Sequence, residues 1–198
     1  MTTPGDTLGM ISEAATDDSR RDVLDLLTAV APGTAPDTVP MTELDELYAP
    51  VVLRYHDPET GRLLGAALSC RAQIAVGGAL QLMAGKRLPR ELDFGPVLDR
   101  HSQLQRLAVL PEARGQGIGG LLLTDLSRRL RDRGVRVWFG RVAVDQQTEP
   151  LRGFLARHGF TVLEDGAPLP MLLGRHWRTA ESESTAFHFY RRLAPAED

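Results

Sequence analysis

The sequence predicts an α+β domain, and three observations support this fold class. The first is a segment from Gln103 to Val144 in which a strand pattern, a glycine-rich loop, a helix pattern and a second strand pattern follow one another. The second is a β-hairpin pattern, with strands at Val51–His56 and Arg62–Cys70 around a turn at Asp57–Gly61. The third is a chain of 198 residues with 42% hydrophobic residues, which suits one domain with a full core.

The helix after the glycine loop has the clearest periodicity in the chain. Its apolar residues recur at four-residue spacing: Ile118, Leu122, Leu126 and Leu130. Charged residues are expected on the opposite, solvent-exposed face: Asp125, Arg128, Arg129 and Asp132. Gly134 is a helix stop, and the alternation of Val135, Val137 and Phe139 predicts a strand directly afterwards.

The remaining elements follow from weaker signals. An apolar stripe of Val23, Leu26, Leu27 and Val30 predicts an N-terminal helix, for which Ser19 is the expected N-cap. Further predicted elements are a short helix at about Met41–Tyr48, a helix from Thr148 to about His158, and strands at Phe160–Glu164 and Thr185–Leu193. Residues 1–9 are expected to be flexible, and insertions are expected at about 77–101 and 165–184.

The glycine-rich loop predicts an anion site. Four of its six residues are glycine: Gly115, Gly117, Gly119 and Gly120. Glycine permits positive φ and removes Cβ atoms where a ligand must touch the main chain. The helix begins inside these glycines, so its first N–H groups have no partner in the helix and the helix dipole adds partial positive charge. Such a helix start binds phosphate groups readily.

Two well-known phosphate loops can be compared with this segment. The Walker P-loop places Lys and then Ser or Thr after its last glycine, whereas Leu121 and Leu122 follow Gly120, which excludes that loop. The dinucleotide fingerprint GxGxxG is matched by Gly115, Gly117 and Gly120, and Asp145 is an acidic candidate at the end of the next strand. Five residues separate the first strand from Gly115, however, and the fingerprint glycine should follow its strand immediately.

A third comparison covers more of the chain. The sequence RLAV, then PEARGQGIGG, then a leucine-rich helix resembles the coenzyme A-binding motif of the GNAT superfamily of N-acetyltransferases. Arg114, Gly117 and Gly119 fill its Arg/Gln-x-x-Gly-x-Gly/Ala pattern, and the segment Phe154–Phe160 is similar to a second segment of the family. The clear match spans about residues 103–163. The resemblance implies that residues 1–198 form a single α+β domain, with a mixed, mostly antiparallel sheet of six to seven strands and about four helices.

The resemblance also implies a cofactor and its binding residues. Acetyl-coenzyme A would be the co-substrate, and no metal would be required because main-chain dipoles supply the positive field. By this likeness the backbone of Leu107 and Val109 would bind the pantetheine amides, and the glycine loop would hold the diphosphate. The expected cofactor-binding residues are Leu107, Val109, Arg114, Gly115, Gln116, Gly117, Gly119 and Gly120. For Arg114 a charge-assisted phosphate contact and a purely surface position are both open.

The activity implied by the resemblance is acetyl transfer to a primary amine by direct attack on the thioester (EC 2.3.1.-). Two departures from the family concern proton transfer: Gln103 stands where the family often has Glu, and Leu155 where it usually has Tyr. Candidate replacements are His101, Asp145 and Tyr190, with His158 and Glu164 as further possibilities, and each also has a structural interpretation. A non-catalytic acyl-coenzyme A-binding sensor or assembly module is the alternative function.

Charge and composition limit the classes of partner that this protein is expected to bind. Residues 1–50 contain ten acidic and two basic residues, which favours a cationic small-molecule or protein amine as acceptor. Scattered basic residues give no nucleic-acid surface. Neither a membrane span nor a secretory signal is recognisable, so a cytoplasmic protein is expected. The single Cys70 is interpreted as a small buried residue, and the two insertions are expected to shape the acceptor cleft or a homodimer contact.

Overall fold

A computed structural model describes residues 11–71, 99–144, 148–167, 169–172, 175–177 and 186–194. The helices and strands in chain order are β1 (Ile11–Glu13), α1 (Asp17–Val30), α2 (Asp45–Tyr48), β2 (Val51–His56), β3 (Leu63–Arg71), β4 (His101–Val109), α3 (Ile118–Asp132), β5 (Val137–Ala143), α4 (Thr148–Arg157), β6 (Thr161–Asp165), β7 (Leu169–Leu172), β8 (Arg175–Trp177) and β9 (Ala186–Arg192). Short 3-10 turns at Thr42–Leu44 and Pro111–Ala113 precede α2 and α3.

The predicted fold class is confirmed. Seven strands form one mixed, mostly antiparallel sheet in the order β1-β2-β3-β4-β5-β9-β6, and β7 pairs with β8 in a separate two-stranded sheet. The part of the chain that the structure describes contains four α-helices, as expected. The chain forms two compact units, Met1–Cys70 with Leu104–Arg133 and Arg71–Gln103 with Gly134–Asp198. The expectation of a single domain over residues 1–198 stays a prediction.

The first unit has a core between α1 and the β2–β3 hairpin. The hairpin pairs in antiparallel register from Val51 opposite Ser69 to His56 opposite Leu63, as the sequence predicts. The apolar stripe of α1 packs against one face of it, and the buried members of this core are Ala14, Val23, Leu26, Leu27, Val39, Val52, Ala66, Leu68, Cys70 and Ala108. Cys70 is 4% exposed, and burial raises the pKa of its thiol to about 12, so its interpretation as a buried small residue is confirmed.

The second unit is built on the antiparallel pair β5–β9. Its register runs from Val137 opposite Arg192 to Ala143 opposite Ala186, and β6 pairs with the other edge of β9. Gly140 lies opposite Phe189, and a Cβ atom at Gly140 would approach the Phe189 ring to 2.2 Å, so only glycine fits beside that ring. Phe160 stacks on Trp138 and Phe189 at centroid distances of 4.9 and 5.1 Å. Aromatic packing therefore stabilises this unit.

The N-terminal part of the chain differs from the prediction in two places. Thr16, not Ser19, is the N-cap of α1: its hydroxyl accepts from the Ser19 N–H at 3.3 Å, and Ser19 completes a reciprocal capping box as the third helical residue. The helix therefore begins earlier than expected, with Asp17 and Asp18 in its first turn. Strand β1 was not predicted, because three residues are too few to show an alternating pattern.

The exposed face predicted for α3 is wrong at Asp125. The apolar residues Ile118, Leu122, Leu126 and Leu130 are all buried, as expected. Asp125 is also buried, at 2% exposure, because the side chains of Arg128 and Arg129 fold over it and donate to its carboxylate at 2.6 and 2.7 Å. A carboxylate can be buried when charged donors satisfy it, and helical spacing alone does not reveal such partners.

The predicted insertions are only partly described. The region expected at about 165–184 contains the β7–β8 pair, in which Leu169 is opposite Trp177 and Leu172 opposite Arg175. Most of the insertion expected at 77–101 and all of residues 1–9 lie outside the described residues. Strands β4 and β5 differ from their predicted bounds by about two residues at their ends, a normal uncertainty for boundaries.

Candidate functional site

The glycine loop joins β4 to α3 in the first unit and has the predicted backbone. Pro111 begins the 3-10 turn that follows Leu110, which suits a residue with fixed φ and no N–H. Gly115 and Gly117 then adopt left-handed φ values of 80° and 82°. Gly117 is the N-cap of α3 and offers no side chain to its amides. Residues with a Cβ atom are strained in this conformation, so the glycines are required by the turn.

The loop presents backbone N–H groups to solvent. In α3, all of whose residues are described, the first N–H with a backbone acceptor is that of Leu121, which donates to the Gly117 carbonyl at 3.1 Å. Among the described residues, no acceptor bonds the N–H groups of residues 115–120. The first turn of α3 contains no acidic residue, while Arg129 and Arg131 lie in its last turn, and residues 114–117 are exposed. The geometry suits an anion that accepts several hydrogen bonds at once.

The start of α3 is held against β3 by a glycine that the sequence analysis did not single out. A Cβ atom at Gly65 would lie 3.0 Å from Ile118 Cγ2 and 3.2 Å from both Leu122 Cδ1 and the Ala108 carbonyl. The Leu110 N–H donates to the Leu64 carbonyl at 2.9 Å, which fixes the end of β4 beside the same strand. A glycine inside a strand pattern indicates such a close approach, and that signal was available in the sequence.

Side chains around the loop are tied to nearby backbone and to one another. Arg114 Nε donates to the Val109 carbonyl at 3.2 Å, and its side chain is exposed. Gln116 Nε2 donates to the Glu112 carbonyl at 3.4 Å. The Glu112 carboxylate forms an exposed ion pair with Arg62 at 2.7 Å. The acid nearest in sequence to the loop is therefore balanced by a cation.

The backbone groups of Leu107 and Val109 do not point to β3. Because the Leu110 N–H points to β3, the alternation of backbone groups along a strand places those of Leu107 and Val109 on the opposite side. All eight predicted cofactor-binding residues lie within residues 107–120, which belong to the first unit, and their binding role stays a prediction.

The three predicted catalytic residues do not lie in one short segment. His101 begins β4 and is half-buried, and Tyr190 lies in β9 opposite Phe139 and Thr161. Both belong to the second unit, and β5 lies between their strands, so the two strands are roughly 10 Å apart. Asp145 lies outside the described residues.

The two positions that depart from the family pattern have different surroundings. Leu155 is 1% exposed in α4 and is a core residue, so that position offers no acid. Gln103 lies half-buried in β4. His158 ends α4, where its ring contacts the Phe154 ring at a centroid distance of 4.5 Å, and its carbonyl accepts from Arg191. Its interpretation as a helix-end residue agrees with these contacts.

His188 is a buried polar residue that the sequence analysis missed. It is 5% exposed in β9, between Phe187 and Phe189, and its Nδ1 lies 3.1 Å from the Ala167 carbonyl. A carbonyl only accepts, so Nδ1 carries the proton and Nε2 holds a lone pair. This Nε2 is buried and has no hydrogen-bond partner among the described residues. Burial, with a smaller contribution from Arg141, lowers the pKa of His188 despite the opposing Ala167 contact.

Two broader features concern membranes and metals. Within the described ranges, no helix is long and apolar enough to cross a bilayer. The same residues contain no cluster of three or more His, Cys, Asp or Glu side chains that could hold a metal ion.

The sequence was compared with models of known protein families. Residues 70–162 match the family model described as an acetyltransferase (GNAT) domain. That stretch begins at the end of β3 and ends in β6, and it includes the whole glycine loop. No curated protein matches the sequence significantly.

Solved structures share the fold at low sequence identity. An aminoglycoside 6'-N-acetyltransferase complexed with coenzyme A is 16% identical, with 95% of this chain and 99% of that chain covered and a TM-score of 0.56. The ribosomal-protein-S18-alanine N-acetyltransferase from Escherichia coli is 16% identical, with 95% and 96% covered and a TM-score of 0.57. An acetyltransferase of the GNAT family from Staphylococcus aureus MU50 is 14% identical, with 93% and 98% covered and a TM-score of 0.57.

The family model and the fold both indicate an acetyltransferase of the GNAT class. Residues 70–162, which are 93 of the chain's 198 residues, are similar to the GNAT acetyltransferase family, whose members transfer acetyl groups from acetyl-coenzyme A to amines.

Proposed function

We propose that this chain transfers an acetyl group from acetyl-coenzyme A to a primary amine. The observation that carries the proposal is the row of backbone N–H groups from Gly115 to Gly120, which has no acceptor in the described residues and opens at the start of α3. The diphosphate of coenzyme A has the charge and the number of acceptor oxygens that such a row requires. The binding residues would be those predicted from the sequence, with Arg114 adding charge.

The loop fits this group without a metal. Gly115 and Gly117 place no side chain over the amides, and no atom of the described residues lies within 4 Å of their Cβ positions. The helix dipole of α3 supplies partial positive charge, and the Glu112 carboxylate is already paired with Arg62. By the family resemblance, the pantetheine arm would lie along β4 and bond the backbone groups of Leu107 and Val109 as an added strand does.

Acetyl-coenzyme A would supply an activated thioester, and the protein would orient an amine toward its carbonyl carbon. An alkylammonium has a pKa of ~10.4, so the acceptor must lose a proton before it attacks. His101, Asp145 and Tyr190 remain the proposed groups for proton transfer. Neither Gln103 nor Leu155 can replace the carboxylate and phenol that the family usually has at these positions.

The missing acid need not abolish catalysis. The leaving thiol has a pKa of about 8.5 by analogy with cysteine, so its protonation at neutral pH is worth at most roughly 2 kcal/mol. Orientation of two reactants can contribute about 7–11 kcal/mol. Positioning by the backbone of β4 and the glycine loop therefore matters more than the lost side chain.

The acceptor is proposed to be cationic. The acidic N-terminal segment motivates this, although at least five of its carboxylates have structural partners: Asp17 accepts from Thr42, Asp18 pairs with Arg21, Asp22 with Arg54, Asp45 with Arg20, and Glu13 with Arg129 and Arg133. The acidic excess of residues 1–50, which contain ten acidic and two basic residues, would raise the local concentration of a cationic amine. A polyamine, an aminoglycoside or a protein amine each satisfies this chemistry.

The direct test is an acceptor screen. Purified protein is incubated with acetyl-coenzyme A and a panel of primary amines, and free thiol and acceptor mass are both measured. We expect thiol release that depends on at least one cationic amine, with an acetyl group added to that amine. The second candidate, a coenzyme A-binding module without catalysis, is motivated by Gln103 and by the buried Leu155. Tight binding of acetyl-coenzyme A without acceptor-dependent thiol release would support it.

A further inference from the structure

A small pocket in the first unit lies at the end of α3 that is remote from the glycine loop. It is formed where β1 leads into α1 and where α2 leads into β2, and Arg133, the C-cap of α3, also lines it. Helix α3 has 15 residues, so a length of about 22 Å separates Arg133 from the loop. Strand β3 also lies between β1–β2 and β4. The pocket is therefore distinct from the proposed coenzyme A site.

The pocket is small, and its lining is mostly charged. Its volume is about 180 Å³, which is the liquid volume of roughly six water molecules and is below the roughly 300–1,000 Å³ of pockets for drug-sized ligands. Two acids and two arginines line it, Glu13, Asp45, Arg20 and Arg133, together with three small residues that include the exposed Ala15. The pocket therefore suits a small ligand that carries both signs of charge.

Arg20 fixes the position of Asp45 in this pocket. The Arg20 side chain is 5% exposed, and it donates to the carbonyls of Ala14 and Pro40 and to both carboxylate oxygens of Asp45, at 2.5 and 3.0 Å. A carboxylate has about four acceptor positions, and Arg20 uses two of them. Because the Asp45 side chain is 47% exposed, its other acceptor positions are available to a ligand ammonium.

Arg133 brings unused donors to the same pocket. Its Nη1 donates to the Pro50 carbonyl at 2.9 Å and its Nη2 to the Glu13 carboxylate at 2.7 Å. A guanidinium has five N–H donors, so three of them have no acceptor in the described part of the chain. The Arg133 side chain is 44% exposed, and Glu13 also accepts from Arg129 at 2.8 Å. Arg133 can therefore bind a ligand carboxylate, which matches the planar fork of a guanidinium.

We infer that this pocket binds a small zwitterion of the class of free amino acids, with its carboxylate on Arg133 and its ammonium on Asp45. The lining has no net charge, so an ion of one sign meets repulsion as well as attraction, whereas a zwitterion satisfies both walls. The exposed pair of Arg133 and Glu13 is worth little by itself and rearranges at little cost. This inference goes beyond the proposed function, because none of these residues belongs to the glycine loop or to the proton-transfer candidates.

The test titrates the full chain with free amino acids from glycine to arginine and follows binding by ligand-observed NMR. The tightest ligand is then compared with two analogues of similar size, one without its amino group and one without its carboxyl group. We expect the zwitterion to bind with a Kd of about 1 mM and each analogue to bind at least about 10-fold more weakly. An analogue that binds as tightly as the amino acid would overturn the assignment of a zwitterion.

Ala15→Phe tests the location of the site. Ala15 is exposed and lines the pocket, so a Phe ring there would fill the pocket without entering the core, and binding should weaken at least about 10-fold. Ala31→Phe is the matched control, because Ala31 is also exposed and lies at the other end of α1, as its C-cap. Its affinity should stay within about twofold of the wild type. Thermal unfolding checks that both variants keep the fold.

Arg133→Gln tests the assigned roles. The Gln amide can still donate to the Pro50 carbonyl but carries no charge. The amino acid should bind about 10-fold more weakly, while the analogue without a carboxyl group should bind at least as well as it does to the wild type, because a like charge has been removed. Equal weakening of both ligands would contradict the role of Arg133.

Two results would overturn the inference as a whole. One is the absence of saturable binding by any free amino acid, and the other is unchanged binding to Ala15→Phe. Neither result touches the proposed function, because the acceptor screen and coenzyme A binding test that site separately.

Discussion

The glycine loop of the first unit offers backbone groups for chemistry, whereas the second unit offers polar side chains. The loop acts through backbone amides at the start of α3, and its side chains contribute little beyond Arg114. The second unit offers separate side chains: His101 on β4, Tyr190 and the buried His188 on β9. A site made of backbone is specified by a short stretch of sequence, whereas a site made of side chains depends on which strands become neighbours.

The largest expected effect is on the loop backbone. Gly117→Val places a β-branched residue at a φ of 82°, which costs about 1–3 kcal/mol and drives the loop out of its conformation. We expect coenzyme A affinity to fall by about 10- to 100-fold, as measured by calorimetry. Because the space around the Gly117 Cβ position is open, the loss would come from backbone conformation and not from a clash.

The control for this change is Gly33→Val. Gly33 has a φ of 93° and the space around its Cβ position is likewise open, but it lies in the α1–α2 connection. The free energy of unfolding of the Gly33→Val variant should fall by about as much as that of Gly117→Val, while its affinity for coenzyme A stays unchanged. Equal losses of affinity in both variants would show that general destabilisation, not the loop, controls binding.

A smaller effect is expected from the proton-transfer candidate of the second unit. Tyr190→Phe removes only a hydroxyl group from a half-buried side chain. If Tyr190 protonates the leaving thiolate, kcat should fall by no more than about 30-fold, which corresponds to roughly 2 kcal/mol. Coenzyme A affinity should not change. A loss of kcat well above this bound would mean that a side chain of the second unit matters more than positioning by the loop.

The packing beneath the loop should be sensitive to one methyl group. Gly65→Ala would bring a Cβ atom within 3.0–3.2 Å of Ile118, Leu122 and the Ala108 carbonyl. Such overpacking typically destabilises by about 1–3 kcal/mol and should shift the start of α3, with a severalfold loss of coenzyme A affinity. Gly153→Ala in α4 is the control, because beyond its own helix backbone and chain neighbours the only atom of the described residues within 4 Å of its Cβ position belongs to the flexible Arg157 side chain, at 3.4 Å. Urea unfolding should show that variant at least as stable as the wild type.

The smallest predicted effect concerns pH. Burial lowers the pKa of His188, so the folded state holds this residue neutral while the unfolded state binds a proton below a pH of about 6.5. Stability contributed by neutral His188 is therefore present above that pH and is lost as the pH falls. The loss cannot exceed about 1.4 kcal/mol per pH unit from one group.

His188→Asn tests this linkage. The amide of Asn can still donate to the Ala167 carbonyl but does not titrate. The free energy of unfolding of the variant should fall less than that of the wild type between pH 7.5 and pH 5. Some acid sensitivity should persist, because burial also lowers the pKa values of His56 and His158. Identical pH dependence in both proteins would contradict a neutral, buried His188.

The sequence predicted the loop because every requirement of the loop is local. The strand end, the glycines at positive φ and the helix start occupy fewer than twenty consecutive residues, and the structure has them in that order. The helical face of α3 was predicted well from its spacing, except at Asp125, where burial depends on how Arg128 and Arg129 fold over it.

Features that need distant partners were missed. Gly65 matters because α3, more than fifty residues later in the chain, packs on it. His188 is hidden among aromatic residues, and its Nδ1 contact is with Ala167 on another segment. Thr16 was overlooked as the cap of α1 because Ser19 also fits a cap pattern, and only the backbone conformation distinguishes them. Tertiary packing decided the cases of Gly65 and His188, and local backbone conformation decided the case of Thr16.

The most direct measurement is an amide NMR titration of glycine-labelled protein with coenzyme A in the presence of a metal chelator. The resonances of Gly115, Gly117, Gly119 and Gly120 should shift strongly and saturate together, because their N–H groups would bond the diphosphate without a metal. Gly33, Gly61 and Gly134, which also have positive φ, should not shift. Saturable binding that moves other glycines and leaves the four loop amides unchanged would contradict a backbone-built diphosphate site.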